Sequence, residues 1–130
     1  MKKAFLIPLG VLILAAASFT DSPNKLVGHW QTVSPRGAVL LAVFRPDGSF
    51  DGFIDGKAFV SGKYSVRQDT LRMSDASCNV NYYGTYHLGF SVKDSVRFTV
   101  IQDTCTGRRR GSDGLTLGRI VPDRTKPAKR

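Results

Sequence analysis

Residues able to carry chemistry are few in this chain. There are two cysteines, Cys78 and Cys105, two histidines, His29 and His87, and ten acidic residues, every one an aspartate. Two cysteines alone cannot hold zinc and no histidine cluster completes a site, so no metal or cofactor is expected. His29 precedes Trp30 and His87 follows Tyr86 in alternating runs. Both therefore fall on the outward phase, and solvated strand histidines are the plain reading. Asp47, Asp55, Asp69 and Asp94 stand in turn sequences, where carboxylates bond their own backbone. Neither a glycine-rich phosphate loop nor a nucleophile elbow is present. The expectation is a protein that is not an enzyme and has no catalytic residues. What remains is a cysteine pair and the run Arg108-Arg109-Arg110.

The elements that position these groups read as β-structure. On β-like runs, glycine stands two residues ahead of a large aromatic at Gly28/Trp30, Gly62/Tyr64 and Gly84/Tyr86. Residues i and i+2 of a strand share a face, so each aromatic lies beside a gap that another group can enter, as in a curved, closing sheet. Strands are expected at 27–33, 39–44, 49–54, 58–66, 70–74, 82–90, 95–102 and 115–121. The connectors 34–37, 46–48, 55–56 and 67–69 are hairpin sequences. No helical period is evident. Eight short strands with short links predict an all-β, up-and-down antiparallel barrel.

Period-two alternation puts Val60, Tyr64, Val66, Leu71, Met73, Tyr86, Leu88, Phe90, Val96, Phe98 and Val100 inside. An eight-stranded barrel is just wide enough to be filled by side chains or to hold one small ligand. Packed core is the plain reading of Tyr64, Tyr86, Phe90 and Phe98; the functional one is the lining of an apolar ligand cavity. Alternate links share one end of such a barrel, so Arg36, Lys57, Cys78 and the stretch from Cys105 to Gly111 meet at one mouth. Trp30 and Arg119 belong to the other. A solvated loop is the plain reading of Arg108, Arg109 and Arg110. Functionally, with Arg36 and Lys57, they would draw an anionic head to the rim through charge-assisted hydrogen bonds.

Met1-Lys2-Lys3, the apolar stretch from Ala4 to Ala17 and the small residues Ala15, Ala16, Ala17 and Ser18 form a secretory signal pattern over residues 1–18. The run is short for an uncleaved anchor and holds Pro8. Residues 19–121 would then be one exported domain, periplasmic or extracellular, and residues 122–130 a disordered basic tail. In an exported chain Cys78 and Cys105 are most simply a disulfide, closing a loop that stabilises by about 3 to 4 kcal/mol. The formal charge is +9, or +7 without Lys2 and Lys3. That favours anionic partners or solubility. No basic strip is interleaved with stacking aromatics, so nucleic acid is not expected.

Leu26-Val27-Gly28-His29-Trp30 resembles the Gly-x-Trp signature that opens the first strand of lipocalins and of small exported bacterial lipocalin-like (calycin) domains. Those proteins close one barrel end with this Trp, packed under an Arg of the last strand, the place matched by Arg119. The stretch from Asp103 through Cys105 to Arg108 is similar to an Asp-x-Cys-x-x-Arg run of exported bacterial members. The chain is shorter than a typical lipocalin and shows no helix after the barrel, which implies a small or filled interior. Avidin-like barrels begin similarly but use several pocket tryptophans, whereas this chain has only Trp30. The resemblance implies a binding protein for a small apolar or amphipathic ligand, with an anionic head suited to the rim. The alternative is an envelope-associated protein-interaction or inhibitor module with a filled core.

Overall fold

Alternation forces each strand to present one face inward, and the observed register shows how those faces close on themselves. A computed structural model describes residues 24–121. The expected signal segment (1–18) and the expected disordered basic tail (122–130) lie outside the described residues. Eight strands follow in order: β1 (Gly28–Val33), β2 (Val39–Phe44), β3 (Ser49–Ile54), β4 (Lys57–Arg67), β5 (Thr70–Asp75), β6 (Gly84–Phe90), β7 (Ser95–Gln102) and β8 (Thr116–Ile120). Each pairs antiparallel with its sequence neighbour, and β1 pairs with β8, so the sheet is a closed up-and-down barrel of lipocalin-like architecture.

Turn chemistry sets the links. Asp55 and Gly56 both have positive φ, 50° and 83°, which matches the right-handed twist of the β3–β4 hairpin. Bulges interrupt the register at Gly52/Phe53 and at Thr85/Tyr86. Such bulges bend the wall.

The expected inward residues are inside: Tyr64, Leu71, Met73, Tyr86, Leu88, Val96 and Phe98 are buried, and Val60, Val66, Phe90 and Val100 pack partly buried against them. Two expectations are corrected. The sixth strand starts at Gly84 rather than at residue 82, because the chain turns from Asn79 to Tyr82 before it can pair. A helix, α1 (Thr106–Ser112), lies between β7 and β8, where sequence showed no helical period.

Candidate functional site

The two ends of the barrel are built differently. At the end of the even-numbered links, Trp30 is fully buried and its Nε1 donates to the Leu26 carbonyl at 2.8 Å. The Arg119 guanidinium sits 4.3 Å from the indole, donates to the carbonyls of Val27 and Lys25, and pairs with Asp94 at 2.9 Å. Gly28 is what lets it in: φ is 138°, and a Cβ there would stand 2.7 Å from Arg119 Nη1. Phe90 packs 6.4 Å from Trp30, and Phe44 meets Tyr64 edge-on at 5.0 Å. The Tyr64 hydroxyl donates to the Arg45 carbonyl, and burial pushes its pKa up. This half is solid.

At the odd-link end the Cys78–Cys105 disulfide, with sulfurs 2.04 Å apart, ties the β5–β6 link to the start of α1. Beneath it lies a buried ion cluster. Arg108 Nε and Nη2 donate to the two oxygens of Asp103 at 2.7 and 2.9 Å, and Nη1 donates to Asp75 Oδ2 at 3.2 Å. The Tyr86 hydroxyl donates to Asp103 Oδ2 at 2.5 Å and the Cys105 N–H to Oδ1 at 2.9 Å. Asp75 Oδ1 accepts from the N–H and hydroxyl of Ser77. A Cβ at Gly84 would overlap the Asp103 carboxylate, so the third Gly-x-aromatic gap is occupied by this acid.

Burial alone would raise the pKa of Asp103. The hydrogen bonds from Arg108, Tyr86 and the Cys105 N–H outweigh it and hold the carboxyl below the usual carboxylate range. Burial and then its bond to Asp103 push the Tyr86 phenol up. Asp103 fixes Arg108 as a cation.

Between this cluster and the solid half is a cavity of about 350 Å³, open at the odd-link end. Leu40, Ala42, Met73, Phe98, Leu115 and Leu117 give it apolar walls, Phe44 and Phe50 line it from the solid half, and Phe59, 55% exposed, stands at the mouth. Polar contributions come from Asp75, Ser77, Arg108 and Ser112, and from Asp51, whose charge is matched by its ion pair with Arg45. Helix α1 borders the opening through Gly107 and Gly111, one turn apart, where a Cβ would meet no atom within 4 Å. The helix can thus lie over the mouth without plugging it.

The residues singled out from sequence are distributed as follows. Phe98 and Arg108 line the cavity. Tyr64 and Phe90 belong to the solid half, and Tyr86 is spent on Asp103. Arg36, Lys57, Arg109 and Arg110 are exposed. The three arginines do not act as one rim cluster: α1 turns Arg108 inward, its side chain 4% exposed, and leaves its two neighbours in solvent. Sequence reasoning missed Asp75, Ser77, Gly107 and Gly111. For Asp103, the signal was its spacing to Cys105 and Arg108.

No protein-family profile matches the chain, and no curated protein is significantly similar to it. The geometry defines a class, a closed eight-stranded antiparallel barrel of lipocalin-like architecture with one solid and one hollow half.

Proposed function

We propose that this protein is an exported lipocalin-like binding protein that holds a small apolar or amphipathic molecule in the hollow half of its barrel and performs no catalytic step. The observation that carries this reading is the cavity of about 350 Å³ with mostly apolar walls and an open mouth. That volume is at the lower end of the range for small-molecule sites. The binding reading is favoured over catalysis because Asp75 and Asp103, the acids buried beside the cavity, are both engaged by Arg108. Export is supported by the signal pattern and by the disulfide, and no helix among the described residues is long and apolar enough to cross a membrane.

The test is displacement of Nile red from the oxidised protein by medium-chain alcohols. Saturable, competable binding is expected, and it should be lost in Gly111→Leu and in Ala42→Phe, which add bulk at the mouth and at the wall of the cavity. Binding that survives both fillings, or no saturable binding in the native protein, would overturn the reading. A protein-interaction module is the second reading. It draws on the outer face of β1 to β3, where Val33, Val39, Leu41 and Phe53 adjoin across the register and Val33 is 56% exposed. The filling variants would leave such an activity untouched.

A further inference from the structure

The hydrogen-bonding capacity left at the polar wall of the cavity decides which polar end a ligand should carry. An ionised carboxylate offers about four acceptor positions and a guanidinium five N–H donors. Asp103 is saturated: Tyr86, the Cys105 N–H and two Arg108 nitrogens supply four donors. Asp75 has three positions taken, two by Ser77 and one by Arg108, which leaves one on Oδ2. Arg108 has three N–H groups committed and two left. All three side chains are at least nine-tenths buried, and they set two carboxylates against one guanidinium.

We infer that the cavity selects amphiphiles with a cationic head, such as an ammonium group, over those with an anionic head, because the buried cluster beside it carries a formal charge of −1. This rests on the reading of the cavity as a ligand site. An ammonium head would donate to the open position on Asp75 Oδ2 and neutralise the cluster. An uncharged hydroxyl can use the spare donors of Arg108. A carboxylate could meet the same donors, but it would bring a third acid to one guanidinium in surroundings where charges are poorly screened.

The exposed Arg36, Lys57, Arg109 and Arg110 favour anions on approach. Their field is cut off over about 8 Å at physiological salt, whereas the buried charge is not screened in this way. Rim and wall therefore pull in opposite directions, and salt separates them.

Decylammonium, decanol and decanoate share one chain and differ in the head, so their competition against Nile red, below their aggregation concentrations, reads the wall directly. Decylammonium is expected to bind at least about tenfold more tightly than decanoate, with decanol between, and the order should hold or sharpen as salt rises. Asp75→Asn, which balances the cluster at one acid to one base, should bring the ammonium-to-carboxylate ratio within about threefold of unity. A native protein that binds decanoate as tightly as decylammonium in high salt overturns this inference while leaving the cavity reading intact. Failure of all three to compete overturns both. A folded Asp75→Asn protein that keeps the native ratio also overturns it; should that variant not fold, the salt series on the native protein decides alone.

Discussion

Replacing Arg108 with Ala should separate it sharply from its two neighbours. The substitution removes three charge-assisted hydrogen bonds and strands Asp75 and Asp103, whose side chains are 3% and 0% exposed. Breaking a buried pair from one side costs about 3 to 5 kcal/mol, a large share of the roughly 5 to 15 kcal/mol that stabilises a typical domain. Arg109→Ala and Arg110→Ala remove exposed side chains and should each stay within about 0.5 kcal/mol.

The pH dependence sharpens the expectation. In the native protein the pKa of Asp103 is depressed, so its contribution is fully present above the ordinary aspartate value near pH 4 and is lost as pH falls through the lower folded value. With Arg108 gone, Asp103 is left buried without its cation and should instead favour protonation, and the variant should gain stability on going from about pH 7 to pH 5. Trp30, the only tryptophan and fully buried, makes denaturant unfolding easy to follow. A loss under about 1 kcal/mol with no change in the pH slope would refute the view of the cluster as a buried, charge-coupled unit.

Three further outcomes can be checked by denaturant unfolding, followed by far-UV circular dichroism because Trp30→Ala removes the only tryptophan. Cys105→Ser should cost about 2 to 5 kcal/mol, and alkylation should find no free thiol in the native protein until reductant is added. Trp30→Ala should cost about 3 to 5 kcal/mol through lost burial, and Arg119→Ala clearly less, because the cation–π contact contributes only about 0.5 to 2 kcal/mol. Gly84→Ala should cost at least about 2 kcal/mol despite adding only a methyl group, since that methyl overlaps the Asp103 carboxylate; Gly107→Ala, in open space, should not destabilise.

The strands were legible because alternation and turn residues are local signals. The Gly-x-aromatic pattern was informative beyond secondary structure: the gap at Gly28 takes the Arg119 guanidinium and the gap at Gly84 takes Asp103. Alternation reports which face a side chain takes and not which end of the barrel it serves. Tyr64, Tyr86 and Phe90 point inward as expected, yet they go to solid packing and to the ion cluster. Helix α1 was not legible, since seven residues with two glycines and three arginines carry no amphipathic period. Its restraints are tertiary: the disulfide at Cys105, the ion pairs of Arg108, and Asp113, whose carboxylate accepts from the Val100 N–H. Asp75 was silent for the same reason, because it meets Arg108 across 33 residues of sequence.

The hollow half has a physical origin in side-chain size. Trp30, Leu26, Phe44, Tyr64 and Phe90 crowd the solid half with large side chains, while the cavity lining includes Ala42, Gly107 and Gly111, which contribute almost no volume. Closing the open end with large apolar residues would have been the simpler way to add buried area and stability. Instead that end is held by a disulfide and a charged cluster. These restraints act at the perimeter and hold α1 over the mouth while leaving the space behind it free of side chains. A barrel whose only role was to present its outer surface would gain from filling that space, since voids in a close-packed interior forfeit dispersion contacts. The combination of small lining residues with a covalently and electrostatically tied rim is what favours a container over a solid interaction module.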